Sequence, residues 1–277
     1  MTRLLRAVAA VALLLALSPL ATSIAGGPAA LVAAHRGGAA LWPENSLLAF
    51  RSALALGVDA LEFDLHLTAD GEVVVLHDPT LDRTSTGNGS VRDLKLANLA
   101  DIRLKTREGA VTGERVPTFA QVLDLVAPTS AEILPEIKVD ANRQRYDGIE
   151  EKVLALIRAR GLMGRTTIQA FQVETIRRVR ELEPKARTML LVARGDVERD
   201  RARPGEAVRR VRELGATDLG MNHRLLDADV MSAARAAGIR VSAWTVNEEA
   251  DIRRMIDLGV DVVMSDRPDL AKRLTGR

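Results

Sequence analysis

A closed (β/α)8 TIM barrel with a small insertion after the second strand is the fold this sequence predicts, on three observations. Short apolar runs alternate with helical patterns from Leu31 to the C-terminal region, and strand-helix alternation of this length builds parallel sheet. Eight such units in roughly 250 residues fit a closed barrel. His35, Glu62, Asp64, Glu136, Lys138, Gln169, Trp244 and Asp266 all fall near the C-terminal ends of their strands, the face where barrels build active sites. An open doubly wound sheet is the alternative.

The first unit is the short apolar run Leu31–Ala34, ending at His35-Arg36-Gly37-Gly38, then a helix over Ser46–Leu56 closed by Gly57. Pro43-Glu44-Asn45-Ser46 supplies turn and cap chemistry for that helix. The second strand is Ala60–Leu67, with an extended piece at Val73–Leu76 after a tight turn at Asp70-Gly71. From Pro79 to about Arg115 the pattern changes to a polar, turn-rich loop and a weakly amphipathic piece at Leu94–Leu104, an excursion from the repeat. The alternation resumes with helix Thr118–Val126, strand Glu132–Lys138, helix Gly148–Arg160, strand Thr166–Phe171 and helix Glu174–Glu183. Strands Thr188–Val192, Asp218–Met221, Arg240–Val246 and Asp261–Ser265 follow, separated by helices Gly205–Leu214, Asp227–Ala237 and Glu248–Leu258, with a last helix near Asp269.

The second strand carries the chemistry. Alternate residues of a strand share a face, so Glu62 and Asp64 point one way and Leu61, Phe63 and Leu65 the other. Two buried carboxylates side by side need a cation, a basic residue or a wetted mouth. Taken alone, the pair also fits the wet face of an edge strand.

Bulk composition narrows the function classes. With 277 residues, 47% of them hydrophobic, the chain can bury one sizeable core. Arg3 and Arg6, the apolar run Ala7–Leu17 and the small residues that follow have the layout of a secretory signal peptide over residues 1–25, with cleavage expected after Ala25. That run is shorter than the roughly 20 residues of a spanning helix, so no stable membrane anchor is expected, and the protein is expected to be secreted or periplasmic. The formal charge of +2 is carried by Arg3 and Arg6, so the mature chain is near neutral, a balance that argues against nucleic acid. With no cysteine, thiolate metal ligands and disulfides are excluded, leaving oxygen and imidazole donors. A G-x-G-x-x-G phosphate loop is absent, so nucleotide binding has no support.

Ala34-His35-Arg36-Gly37 with Pro43-Glu44-Asn45, then Glu62-x-Asp64, His77-Asp78-Pro79, Leu134-Pro135-Glu136-Ile137-Lys138 and Trp244-Thr245-Val246-Asn247, in this order and spacing, resemble the glycerophosphodiester phosphodiesterase family. The likeness runs from about Val32 to Pro268. It implies a metal-dependent hydrolase releasing glycerol 3-phosphate and an alcohol from a small-molecule phosphodiester, and it implies that the excursion at about 79–115 caps one side of the active site. Two other readings stand beside it: a phospholipase-D-like phosphodiesterase on the same barrel, and a barrel that binds a phosphate ligand without turnover.

Glu62, Asp64 and Glu136 are the expected metal ligands, a hard oxygen set that suits Ca²⁺ or Mg²⁺. His35 and His77 are the expected acid-base pair, with His35 assigned as base and His77 as acid, because imidazole titrates near neutrality. Arg36 is expected to hold a phosphate oxygen and Lys138 to offset transition-state charge. The resemblance adds Glu44 as a contact to a substrate hydroxyl or a support behind one. Trp244 is expected to wall the pocket, with Trp42 near the rim. His66 shares the acidic face but lies nearer the strand end, and His223 is expected to be structural. Arg194-Gly195-Asp196 is expected to be a solvated loop. Ala170 and Ser46 depart from the family pattern, where serine and threonine are common.

Overall fold

The computed structural model describes residues 29–195 and 205–277. The expected signal segment lies outside these residues, as do residues 196–204, Asp196 among them.

Eight parallel strands close on themselves. They are β1 (Leu31–Ala34), β2 (Ala60–Leu67), β4 (Glu132–Ile137), β5 (Thr167–Ala170), β6 (Arg187–Val192), β7 (Asp218–Asn222), β8 (Arg240–Trp244) and β9 (Val262–Ser265). Closure comes from β1, whose Ala33 and Ala34 pair with Ala60 and Leu61 on one side and with Met264 and Ser265 on the other. The expected barrel is therefore observed, with helices between the strands. These are α1 (Leu47–Ala55), α2 (Phe119–Val126), α3 (Ile149–Ala159), α4 (Val173–Leu182), α5 (Glu206–Glu213), α6 (Ala228–Ala236), α7 (Glu249–Leu258) and α8 (Pro268–Thr275). Strand β3 (Val73–Val75) is no member of the barrel and folds back antiparallel on the end of β2.

Side-chain alternation splits the core into layers. Leu61, Phe63 and Leu65 face outward into the helices, where Phe63 meets Phe50 and Phe119 at 5.5 and 5.8 Å between ring centres. Burying each such ring contributes about 1.5–3 kcal/mol. Ala33, Ala60, Leu134, Met189, Leu191, Val262 and Met264 fill the barrel itself. Gly220 on β7 is the small partner this filling needs, since a Cβ there would sit 2.6 Å from Leu191 and 2.7 Å from Met189. At the N-terminal end, Arg187 reaches Asp218 at 3.1 Å and Glu132 at 3.6 Å, and Arg240 reaches Glu132 at 3.0 Å. These paired charges occupy the strand starts, so the open end of the barrel is the C-terminal one.

The excursion after β3 differs from the amphipathic piece expected at Leu94–Leu104. It contains two short 3-10 turns, Val91–Asp93 and Leu96–Leu99, and a narrow hairpin bridged between Lys105 and Val111. Leu76, Leu81, Val91, Leu99, Leu104 and Val116 give it a small apolar cluster of its own. Segments that pack on such a cluster do not need helical periodicity, which explains the weak pattern.

Candidate active site

The loop after β1 is built around an unusual backbone. Arg36 has φ of 51°, followed by Gly37 at 79° and Gly38 at 101°. A non-glycine residue in the left-handed region costs about 1 kcal/mol or more and persists only where its surroundings fix it. Here the Arg36 N–H donates to Glu62 Oε2 at 2.8 Å, and its carbonyl accepts from the Asn45 N–H at 2.9 Å. Gly37 lets α1 approach, because a Cβ at that position would lie 2.8 Å from the Ala49 Cβ. Trp42 lies against the neighbouring Gly38.

This turn sets His35 at the barrel mouth. Its Nδ1 is 2.6 Å from Asp266 Oδ1, just beyond the end of β9, and its Nε2 is 3.9 Å from Glu62 Oε2. Asp266 is itself fixed by Asn247, whose Nδ2 donates to Oδ2 at 2.7 Å and whose Oδ1 accepts from the Asp266 N–H at 2.9 Å. Burial opposes charge on His35, but the Glu62 carboxylate and the bond to Asp266 outweigh it and raise the imidazole pKa.

Glu62, Asp64 and Glu136 converge as the alternation of β2 and its register with β4 require, Glu62 pairing with Leu134 and Asp64 with Glu136. All three are buried, and each offers an oxygen within 4.8 Å of the others. Burial and the charge on Asp64 push the Glu62 carboxyl up to about 8. Burial likewise raises Glu136. Asp64 is held well below the usual carboxylate range, because the pull of Lys138, His77 and Arg36 and a bond from Asn45 Nδ2 at 2.8 Å overcome its burial. Lys138 Nζ bridges Glu136 at 2.9 Å and Asp64 at 3.3 Å, and Gln169 Nε2 donates to Glu62 at 3.0 Å. With Glu62 and Glu136 raised by burial and by their neighbouring acids, the three form an all-oxygen donor set that fits a divalent ion of the Ca²⁺ or Mg²⁺ type.

His77 follows β3 and lies close enough for its charge to act on Asp64, Glu136 and Glu44. Its Nδ1 meets Asp78 Oδ1 at 2.6 Å. Glu44 accepts from Arg36 at 3.1 Å and from Arg83 at 2.8 and 3.0 Å, and Arg83 in turn holds Asp78 at 2.6 Å. The structure thus brings His35, Arg36, Glu44, Glu62, Asp64, His77, Glu136 and Lys138 into one connected cluster. Trp244 ends β8, edge-on to Phe171 at 5.7 Å and packed against the cluster that fills the barrel, while its neighbour Thr245 lines the cavity at His35. Its buried indole N–H has no acceptor among the described residues.

The remaining histidines lie behind or away from this cluster. His66 is fully buried, with Nδ1 2.8 Å from the Tyr146 hydroxyl and Nε2 3.1 Å from the His77 carbonyl. Burial lowers its pKa to about 4, so it is a neutral support for the chain at His77. His223 contacts Arg254 and Asp251 instead. Asp78, which holds His77, and Arg83, which holds Asp78 and Glu44, carry no role in the sequence reading. Arg83 sits in an irregular loop with no periodic signal, and Asp78 reads in the sequence only as the middle of the His-Asp-Pro run.

The sequence matches the model of the glycerophosphoryl diester phosphodiesterase family over residues 35–270. It is 32% identical over 240 residues to a glycerophosphodiester phosphodiesterase of Caldanaerobacter subterraneus subsp. tengcongensis, covering 86% of this chain and 95% of the other. A Bacillus subtilis protein of the same name is also 32% identical, over 87% of this chain and 84% of its own length. A crystallised Agrobacterium tumefaciens protein, provisionally named a glycerophosphoryl diester phosphodiesterase, has a TM-score of 0.82 at 27% identity, covering 89% of this chain and 97% of that one. The chain belongs to the glycerophosphoryl diester phosphodiesterase family.

Proposed function

We propose that this chain hydrolyses glycerophosphodiesters to glycerol 3-phosphate and an alcohol, using a divalent cation and the pair His35 and His77. The observation that carries the reading is the meeting of three buried carboxylates with two histidines, each tied through Nδ1 to its own aspartate. Glu62, Asp64 and Glu136 would hold the ion, which when bound supplies Lewis-acid stabilisation of negative charge on the phosphoryl oxygens. Arg36 and Lys138 orient the phosphate and oppose the charge that grows on it.

The proton path follows from the histidine tethers. With Nδ1 committed to Asp266, His35 presents Nε2 to the attacking oxygen and takes its proton as a new P–O bond forms. His77, tethered to Asp78, gives a proton from Nε2 to the departing alkoxide as the old P–O bond breaks. The attacking oxygen belongs to water or to a neighbouring hydroxyl of the substrate, and in the second case water then opens the cyclic product. Across the whole reaction one water is consumed, and its elements are divided between the phosphomonoester and the alcohol.

The N-terminal sequence supports export, with cleavage after Ala25. The test is purified mature chain against a panel of glycerophosphodiesters, following glycerol 3-phosphate release with and without chelator. His35→Ala and His77→Ala should each lower kcat by about 10²–10⁴-fold. Turnover that ignores the chelator, or full activity in both variants, contradicts the reading.

A further inference from the structure

The excursion borders the candidate site. It contributes Arg83, Lys105 and Arg107 to a cavity of about 470 Å³ that His35, Arg36, Glu44 and Asp266 also line. Four permanently cationic side chains therefore face two carboxylates there. Both carboxylates are engaged, Glu44 by Arg36 and Arg83, and Asp266 by His35 and Asn247. Lys105 and Arg107 have no acidic partner among the described residues. Lys105 is half-buried, and its backbone is fixed, with its N–H donating to the Thr84 carbonyl at 2.8 Å. The hairpin that carries both is closed by a bond from Thr106 N–H to the Ala110 carbonyl at 2.8 Å. It is also tied to the barrel, since Glu114 accepts from the Leu48 N–H at 2.9 Å.

Two unpaired cations on a braced hairpin, beside the base that acts on the phosphate, form a ready recess for a second anion. The geometry points to Lys105 and Arg107 as specificity-determining residues that favour glycerophosphodiesters whose alcohol carries its own oxyanion, a carboxylate or a phosphate monoester. This inference rests on the hydrolase reading above and names the substrate class for it. A cationic alcohol such as choline meets like charge in the same recess.

Two matched pairs of substrates isolate the effect. Glycerophosphoserine and glycerophosphoethanolamine differ by one carboxylate, and glycerophosphoinositol 4-phosphate and glycerophosphoinositol by one phosphate. The wild-type chain with added divalent cation should show a higher kcat/KM for the anionic member of at least one pair, by roughly fivefold for each partly exposed ion pair formed. Which pair shows it distinguishes carboxylate from phosphate. The preference should shrink with added salt and vanish in K105Q/R107Q, while K105E/R107E should reverse it. No preference in either pair, or a preference that survives K105Q/R107Q, overturns the assignment. Absence of turnover on all four substrates defeats the hydrolase reading itself, and the specificity assignment falls with it.

Discussion

Asp266 and Asp78 show how single residues decide what the histidines can do. Each accepts from one imidazole Nδ1 at 2.6 Å, which in the proposed mechanism leaves Nε2 for proton transfer. Asp266→Asn keeps the shape but removes the charge that holds the His35 ring in one tautomer. The expected result is a kcat lowered by about 10²-fold with KM nearly kept, and a changed pH profile of kcat, measured on a glycerophosphodiester. Gly37 makes a second residue-scale point. Its φ of 79° and the 2.8 Å that a Cβ would have to the Ala49 Cβ mean that Gly37→Ala must displace the turn carrying His35 and Arg36. A stability loss of about 1–3 kcal/mol in a urea titration, together with reduced kcat, is the expected outcome.

Among the elements, the excursion depends on a few ties to the barrel. Arg92 pairs with Asp140 in the loop after β4 and lies 5.7 Å from the centre of the Tyr146 ring. Burial pushes the Asp140 carboxyl up, but N–H donors from Gln144 and Asn142 and the Arg92 guanidinium pull it further down, below the ordinary value of 3.8. A carboxyl depressed in the folded state contributes stability that is fully present above that ordinary value and is lost as pH falls through the lower folded one. Asp140→Asn should therefore cost about 1 kcal/mol at neutral pH, a modest figure because Arg92 is half-exposed. It should also flatten the acid limb of a plot of urea midpoint against pH. An acid limb as steep as wild type would show that Asp140 is not part of it. β2 was legible element by element because its alternation fixes Glu62 and Asp64 on one face whatever surrounds them. The excursion was not, since its turns pack on Leu81, Leu99 and Leu104 without any repeating period.

The whole molecule supplies what no local stretch contains, the closure that brings chain ends together. His35 and Asp266 lie 231 positions apart and meet only because β1 pairs with β9. Sequence pattern placed both at strand ends but gave no sign of their bond, which depends on the barrel's circumference. The three carboxylates were more accessible to inference, since β2 and β4 are neighbours in register. A cation held at Glu62, Asp64 and Glu136, as proposed, would add to the fold's stability. A ligand that binds only the folded chain at about 100 times its Kd adds about 2.7 kcal/mol, so Ca²⁺ or Mg²⁺ should raise Tm in wild type and far less in Glu136→Gln. The most direct test is calorimetric titration of chelator-stripped protein with Ca²⁺ and with Mg²⁺, run beside Asp64→Asn. One bound ion per chain for at least one metal, abolished in Asp64→Asn, is the expected result. No binding of either ion to wild type, or equal binding to the variant, would contradict a metal centre at Glu62, Asp64 and Glu136.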